Sequence, residues 1–490
     1  MSLLRALSPN RILRAAAKSA LSRMRGPDLL VRAKAELLRE LKSDKEFAAA
    51  ARRQAIAEIK SRPEVVARAR KQVLLEEVLH DIAEHERAVL RDAIGFVDLY
   101  DYTEADIESN RRIMEAFAGL DSFVPRTINW FVPTFEHIFR GGIRTILSFA
   151  DYFQRQKGVT NRIIVYGRPG ADPRTFHHEI LKGFPGFPAE NVIVYGGKNP
   201  DELPEAEAAV ATLWTGAFHV LKLRNVKAKF YLVQDFEPLF YPAGTIYGMI
   251  AATYRFGFWG IANTPGVGAA YHAVSGAPTH SFIPAVDTTV YSPLPAGDPK
   301  HQPGEPKWVV FYGRPNNPRN CFELGIRALS KLKQRLGDGV RVISVGHAWD
   351  PVEFGVEGVI ENWGLLGRLE EVADLYRHCD AGLCFMQTPH PSYQPLEYMA
   401  CGCPTVSNKN AANEWLLKDG WNCLLTEPVA SAAAEALERV LCDEELSRRI
   451  MRNGLETIGG NNWPQQMEAV FDFMCKRNSA AREGELWSGR

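Results

Sequence analysis

Residues 389–406, which read PHPSYQPLEYMACGCPTV, contain the pattern that predicts the architecture of this protein. This stretch follows an apolar run, Ala381–Met386, that is typical of a buried strand. The stretch predicts a short helix that ends at Gly402 and a second strand that begins at Pro404. Strand, loop, helix and strand in this order predict one unit of a parallel α/β sheet. Its loop lies at the edge where such sheets bind ligands.

The same alternation of short strands and helical stretches extends outward from this unit in two series. The first series of predicted strands comprises Thr127–Val132, Arg162–Tyr166, Asn191–Tyr195, Ala208–Leu213 and Lys229–Val233. The second series comprises Trp308–Tyr312, Arg341–Val345, Gly358–Glu361, Ala381–Met386 and Pro404–Ser407. A Pro- and Gly-rich stretch, Pro293–Pro306, separates them, and a single core rarely grows beyond about 250–300 residues. The sequence therefore predicts two Rossmann-like domains facing a cleft.

Residues 12–118 differ from both series, because they are rich in Ala, Leu, Glu, Lys and Arg and contain no strand-like run. They predict a helical arm that packs on a domain or mediates oligomerisation. Within it, Ser61 with Glu64 has the spacing of a capping box, and Thr103 with Asp106 marks another helix start. The predicted division is a helical extension at 1–120, Rossmann-like domains at 121–300 and 301–460, and a C-terminal helix and tail at 461–490.

The charges balance, with 58 Lys and Arg against 58 Asp and Glu in 490 residues. No overall field therefore favours nucleic acid, and an anionic ligand must meet a local cluster of basic residues. The eight cysteines lie in the second half without paired CxxC spacing. This pattern predicts buried free thiols in a reducing, cytoplasmic compartment and no metal site, Cys401 and Cys403 included.

No stretch reaches the roughly 18 uninterrupted apolar residues that a membrane-spanning helix requires. The first 32 residues nevertheless hold seven basic side chains against the single acid Asp28, with leucines and isoleucines between them. This segment is either a basic amphipathic helix on an anionic membrane surface or a helix with a solvated face. We therefore expect a cytoplasmic protein, either free or peripheral at the membrane.

Two arginines follow the strand-like run Trp308–Tyr312. Arg314 and Arg319 lie five positions apart in a loop before the predicted helix Cys321–Leu332. Guanidinium groups at a helix start suit a diphosphate, because bidentate charge-assisted hydrogen bonds add to the helix dipole. The other interpretation is a pair of surface arginines in a loop.

The loop within residues 389–406 predicts a second anion contact. At the helix start, the amides of Ser392, Tyr393 and Gln394 would point toward an anion. Glu397, one turn into the helix, would bind a sugar or ribose hydroxyl, or only complement the charge at the helix start.

Two carboxylates follow a strand of the first series. Asp235 and Glu237 come directly after Lys229–Val233, at the edge that faces the predicted cleft. One of them would orient or partly deprotonate a substrate hydroxyl, or the two would belong to a capped turn.

These motifs, in this order, resemble the donor-binding domain of GT-B glycosyltransferases of family 4. The resemblance covers residues 307–427. It includes the loop that contains Arg314 and Arg319, here called the arginine loop, the segment Pro395–Val406 and Asp419–Asn422. It implies retaining sugar transfer from a nucleotide diphosphate sugar, usually without an essential metal ion. No other cofactor is implied.

The resemblance also implies roles for individual residues. Arg314 and Arg319 would neutralise the diphosphate, and Glu397 would be the second acid of a Glu-x7-Glu pattern, at the ribose. Pro389 stands in the place of the first acid. His390 or Tyr393 would then cover part of that acid's role.

Two further segments resemble elements of the same fold. Gly141 and Gly142 follow the first strand and open a helix, as the glycine loop of the family does, although a simple turn would look alike. Trp463-Pro464 and the helix Gln465–Cys475 resemble the C-terminal element that crosses back onto the first domain.

The HPSYQPLE version of the loop, with Gln234–Pro238 in the first domain, is similar to rhamnosyltransferases of the WsaF type. They build bacterial surface glycans from dTDP-β-L-rhamnose. This similarity implies that donor, a glycan or lipid-linked oligosaccharide acceptor of O-antigen type, and Asp235 as the acceptor-side carboxylate. The alternatives are a transferase using a UDP- or GDP-hexose, a 2-epimerase, and a noncatalytic assembly protein of the same fold.

Overall fold

The computed structural model describes residues 90–91, 93–138, 141–197, 199–295, 297–302 and 304–476. Gly95–Arg490 forms one compact unit that contains two parallel β-sheets. Most of the predicted arm, including Ser61 and Glu64, lies outside the described residues. Its described end is helical at 93–99 and again in α1, Glu104–Ala118, which begins at a capping box formed by Thr103 and Asp106.

The first sheet has seven parallel strands in the order β3-β2-β1-β4-β5-β6-β7. Its elements are β1 Thr127–Pro133, α2 Gly141–Lys157, β2 Thr160–Tyr166, α3 Pro173–Leu181, β3 Val192–Val194, β4 Ala208–Ala211, α4 Trp214–Lys222, β5 Ala228–Val233, α5 Thr245–Thr253, β6 Trp259–Asn263, α6 Pro265–Ser275 and β7 Thr279–Phe282. Successive strands are added on one side of β1 up to β3 and on its other side from β4 onward, as in a Rossmann-like strand order.

The second sheet has six parallel strands in the order β10-β9-β8-β11-β12-β13. Its elements, with the C-terminal helices, are β8 Lys307–Tyr312, α7 Phe322–Leu336, β9 Val340–Val345, β10 Glu361–Asn362, α8 Leu369–His378, β11 Ala381–Leu383, α9 Gln394–Ala400, β12 Thr405–Asn408, β13 Cys423–Thr426, α10 Ala430–Cys442, α11 Glu444–Gly459 and α12 Trp463–Met474. Two α/β domains with parallel sheets confirm the fold class that the sequence predicts.

Some strand predictions were wrong. The sequence missed β6, β7 and β13, since β6 lies in a long aromatic run and the other two have only four residues each. Two predicted strands end early. Leu213 caps helix α4 instead of extending β4, and the amide of Met386 donates to the side chain of Asn408 instead of to a neighbouring strand.

Helix α12 packs into the core of the first domain although it follows the second domain in the chain. Phe471 and Met474 are buried there, and the ring centroids of Phe471 and Phe153 are 5.0 Å apart. The C-terminal helix thereby ties the end of the chain to the first sheet.

Seven of the eight cysteines are buried, as predicted, but Cys442 at the end of α10 is exposed. In the part of the chain that the structure describes, no helix is long and apolar enough to cross a membrane.

Candidate active site

Loops that follow strands of the two sheets contact one another and form the candidate site. Asp235, after β5, forms an ion pair with Arg319, which follows β8. Tyr393, after β11, bonds with Asn263 at the end of β6. Each contact joins the carboxyl edge of one sheet to that of the other, where parallel sheets bind ligands. The cleft is therefore narrow at these residues.

The two arginines that are predicted to bind the diphosphate lie in the same loop but in different surroundings. Arg314 is half-buried, and its Nη1 donates to the Tyr312 hydroxyl over 3.3 Å. Arg319 lies in a 3-10 turn before α7, with its guanidinium carbon 4.3 Å from the centroid of the Phe240 ring. Phe240 belongs to the first domain, so this stacking holds Arg319 against the opposite wall of the cleft.

Buried asparagines shape the arginine loop. The Nδ2 of Asn317 donates to Oδ1 of Asn320 over 2.5 Å, and Nδ2 of Asn320 donates to the carbonyl of Phe385 over 3.2 Å. A Cβ at Gly313 would lie 2.3 Å from Oγ of Ser344, so only glycine fits there. These contacts anchor the loop to the sheet, and the arginines project from a fixed backbone.

The structure places Asp235 and Glu237 in different surroundings. Glu237 is buried, and its Oε2 accepts from the Trp214 amide at 2.7 Å and the Tyr231 hydroxyl at 2.8 Å. Burial raises the pKa of Glu237 to about 8, against the effect of these hydrogen bonds. Glu237 thus caps the start of helix α4, whereas Asp235 faces the cleft.

Asp235 lies opposite Arg319, and its Oδ2 is 3.3 Å from Arg319 Nε, in an ion pair whose geometry falls outside that of a hydrogen bond. Burial raises the pKa of Asp235, and the positive charge of Arg319 opposes that rise. The candidate base Asp235 and Arg319, a candidate diphosphate-binding residue, are therefore each other's partner.

The loop before α9 contains His390, Ser392 and Gln394, all buried. The amide of Ser392 donates to Nδ1 of His390 over 2.9 Å, and the Ser392 hydroxyl donates to Oε1 of Gln394. The sequence predicts that the Ser392 amide points toward a ligand anion. The structure contradicts that detail, because His390 already accepts from this amide.

Tyr393 connects this loop to the first domain. Its hydroxyl lies 2.9 Å from Oγ1 of Thr145 and accepts from Nδ2 of Asn263 over 3.1 Å. Nearby, a Cβ at Gly266 would lie 2.3 Å from the carbonyl oxygen of Ala412 and 2.7 Å from that of Pro389. The two domains thus meet backbone to backbone at Gly266 and side chain to side chain at Tyr393.

Glu397 is half-buried, and burial raises its pKa to about 7, against a hydrogen bond from the Tyr291 hydroxyl. Tyr291 lies in the segment between the two sheets. The residue predicted to bind the ribose therefore accepts a hydrogen bond from a protein hydroxyl.

Gly141 and Gly142 form the first turn of α2, as predicted. Gly142 is exposed, and a Cβ there would lie 3.4 Å from Nε2 of Gln234. The Oε1 of Gln234 is buried and has no hydrogen-bond partner among the described residues. The glycine turn and Gln234 together line the first-domain side of the cleft.

Sequence reasoning assigned no site role to Gln234, Asn263, Thr145 or Tyr291. Only Gln234 and Asn263 carried a signal, since each is a polar residue at or directly after the end of a strand. Among the described residues, no cluster of His, Cys, Asp and Glu has the arrangement of a metal site.

The second domain and the whole fold both match known proteins. Residues 307–438 match the family model described as WsaF, C-terminal domain. The O-antigen biosynthesis protein RfbC of Myxococcus xanthus is 38% identical over 395 residues, which are 80% of this chain and 30% of that protein. The chain thus spans about a third of the length of this curated relative.

Solved structures share the fold at low identity. Sucrose-phosphate synthase from Thermosynechococcus elongatus is 14% identical, with a TM-score of 0.53 over 71% of this chain and 98% of that one. Anabaena Alr3699/HepE, in complex with UDP and glucose, is 15% identical, with the same TM-score and the same coverage. S. aureus TarM, in complex with UDP among other ligands, is 8% identical, with a TM-score of 0.54 over 70% of this chain and 98% of that one.

Two facing parallel-sheet domains, with their loops meeting at the carboxyl edges, define the fold of the GT-B glycosyltransferases. Within that fold, the second domain is similar to the C-terminal domain of WsaF, and the chain is similar to part of an O-antigen biosynthesis protein.

Proposed function

We propose that the chain is a retaining glycosyltransferase of bacterial surface-polysaccharide biosynthesis. It transfers L-rhamnose from dTDP-β-L-rhamnose onto a hydroxyl of a growing glycan of O-antigen type. The acceptor is a glycan or a lipid-linked oligosaccharide. The similarity to WsaF and the name of the Myxococcus xanthus relative support this assignment.

One observation carries the proposal. Arg314 and Arg319 follow a strand of the second sheet, and a carboxylate of the first sheet, Asp235, lies 3.3 Å from Arg319 across the cleft. Positive charge on one wall and a carboxylate on the other suit a substrate pair in which one member carries a diphosphate and the other a hydroxyl.

In the proposed transfer, the bond between the anomeric carbon and the diphosphate oxygen breaks, and its electron pair stays on that oxygen. Arg314 and Arg319 stabilise the charge that develops there. The acceptor oxygen bonds to the anomeric carbon on the same face. Its proton passes toward Asp235 once the diphosphate has drawn Arg319 away from that carboxylate.

Other residues of the predicted site contact the remaining parts of the donor in this scheme. Gly141 and Gly142 let the backbone of α2 approach the donor closely, and Glu397 binds the ribose hydroxyls in place of Tyr291. Tyr393 and Gln394 close the pocket on the side of the second domain. No metal ion or other cofactor takes part in this scheme.

A second donor class has an observation in its favour. The Anabaena structure with the same fold is a complex with UDP and glucose. A UDP-hexose, or a GDP-hexose with the same diphosphate chemistry, would use the same arginines. The choice between these donors would then depend on contacts with the nucleobase and the sugar.

A thermal-unfolding panel of dTDP-, UDP- and GDP-sugars tests the donor. A ligand at a hundred times its dissociation constant stabilises the folded state by roughly 2.7 kcal/mol. Stabilisation by dTDP-rhamnose supports the proposal, and stabilisation by UDP- or GDP-sugars alone would replace the donor. If no nucleotide sugar stabilises the protein, the noncatalytic alternative takes its place.

Substitution tests the phosphate site. Arg314→Ala should lower turnover at least about a hundredfold, the typical cost of losing one preorganised donor to a developing anion. The matched control is Arg335→Ala, in which an arginine paired with Glu435 and Glu438 at the far end of α7 is lost. That site lies about 20 Å along the helix from the arginine loop. Equal turnover in both variants would reject the assignment of Arg314.

A further inference from the structure

His390 is buried but incompletely hydrogen-bonded. Only 4% of its surface is exposed, and its Nε2 has no hydrogen-bond partner among the described residues. A buried polar atom without a partner costs about 1–3 kcal/mol, so such atoms in a cleft mark positions that a ligand completes.

The loop determines which nitrogen of His390 carries the proton. The amide of Ser392 donates to Nδ1 over 2.9 Å, so Nδ1 is an acceptor and holds no proton. In the neutral imidazole, the proton is then on Nε2. The unpartnered atom is therefore a hydrogen-bond donor.

The loop is strained where it makes this hydrogen bond. Ser392 has a φ of 70°, in the left-handed region that non-glycine residues seldom occupy. Backbone strain of this kind persists where the surrounding structure enforces it, and it concentrates at functional sites. Here it turns the Ser392 amide toward Nδ1 and so directs the second ring nitrogen.

The charge of Arg319 lies close to the ring. Burial, together with that positive charge, lowers the pKa of His390 to about 3, so the imidazole is uncharged at neutral pH. The Nε atom of Arg319 is also buried, without a well-formed hydrogen bond. Two underused N–H donors therefore belong to second-domain loops that contact the first domain at Asp235 and Asn263, and their common complement is an anionic oxygen.

We propose that the Nε2–H of His390 donates to a diphosphate oxygen of the nucleotide sugar, beside the guanidinium of Arg319. This inference rests on the proposed function and assigns His390 a role opposite to that of the acid at the neighbouring family position. A carboxylate would accept hydrogen bonds from sugar hydroxyls, whereas this imidazole can only donate through Nε2.

Amide replacements of His390 test the inference, because each reproduces one ring nitrogen. His390→Gln places an N–H near the position of Nε2, and His390→Asn places one near Nδ1. We expect His390→Gln to bind nucleoside diphosphates within about threefold of the wild-type affinity. His390→Asn and His390→Ala should bind about 10- to 100-fold more weakly, as expected for a lost hydrogen bond to a charged group.

The probes are dTDP, UDP and inorganic pyrophosphate, measured by calorimetry against the corresponding nucleotide sugars. A loss of affinity for all the diphosphates in His390→Asn and His390→Ala supports the phosphate contact. A loss with nucleotide sugars alone would show that the ring contacts a sugar hydroxyl and would overturn the inference. Equal binding by His390→Gln and His390→Asn would overturn it as well.

The dependence on pH separates this role from a merely structural one. The ratio of wild-type to His390→Gln affinity should stay constant between pH 5.5 and 8, since the imidazole remains neutral throughout and the titration of the ligand cancels. A ratio that rises toward low pH would identify a cationic histidine and contradict the assigned tautomer. A wild-type protein that binds none of the probes would instead reject the proposed function itself.

Discussion

Replacing Tyr393 with phenylalanine should open the cleft of the protein measured without ligand. The Tyr393 hydroxyl lies 2.9 Å from Oγ1 of Thr145 and 3.1 Å from Nδ2 of Asn263, and both partners belong to the first domain. Each buried hydrogen bond contributes about 0.5–1.5 kcal/mol net. Two of them contribute about 1–3 kcal/mol to closure, so the ratio of closed to open molecules should fall by about 5- to 150-fold.

Fluorescence energy transfer between the domains measures this change. One dye goes on the exposed thiol of Cys442 in the second domain, and the other goes on Arg174→Cys in the first, where the native side chain is 88% exposed. Tyr393→Phe should move the transfer distribution toward longer distances. The contacts of Gly266 and of Asp235 remain, so the opening should be partial.

Tyr398→Phe is the matched control. This tyrosine lies in helix α9, which begins directly after Tyr393, and its buried hydroxyl has no hydrogen-bond partner among the described residues. Its removal should leave the distribution of distances unchanged. If Tyr393→Phe behaves like Tyr398→Phe, or if both variants open the cleft equally, the Tyr393 hydroxyl does not hold the domains together.

Two further predictions concern stability. The pKa of Glu237 is about 8 in the folded protein, above its usual 4.5, so the stability it contributes is full below pH 4.5 and is lost as the pH rises through 8. The variant Glu237→Gln keeps an acceptor oxygen but does not titrate. In denaturant unfolding, its free energy of unfolding should therefore fall less steeply than that of wild type between pH 5 and 8, by at most about 1.4 kcal/mol per pH unit. A slope equal to that of wild type would contradict the raised pKa. Phe471→Ala should lower the free energy of unfolding by about 3–5 kcal/mol, since this ring is 2% exposed in the first core. A loss below 1 kcal/mol would show that α12 does not belong to that core.

The sequence predicted the strands whose apolar runs are long and bounded by turn residues. Strand β8 begins one residue before the predicted Trp308, and β5 begins one residue before Lys229. Strand β7, Thr279–Phe282, was not predicted from the sequence because its four residues are mostly polar and only Phe282 is fully buried. Burial of the other three is partial, so the alternation that identifies a strand is absent.

Sequence reasoning placed Arg314, Arg319 and Asp235 directly after strands, and Glu397 in the helix that follows another, because loops after parallel strands share one edge of a sheet. The residues alone did not choose between Asp235 and Glu237, which are two residues apart, and only the resemblance to WsaF-type transferases favoured Asp235. The choice depends on Trp214 and Tyr231, which bury Glu237. These partners are set by packing, which local spacing does not reveal.

Two parallel α/β domains and a basic loop at the carboxyl edge of the second could be predicted from sequence alone, since strand periodicity and turn residues are local properties of the chain. The pairing of Arg319 with Asp235, and that of Tyr393 with Thr145 across 248 positions, appear only in the tertiary structure. These pairings depend on how two separately folded domains close on each other. That closure is a balance of buried hydrogen bonds and desolvation between distant segments, which no pattern within either segment encodes.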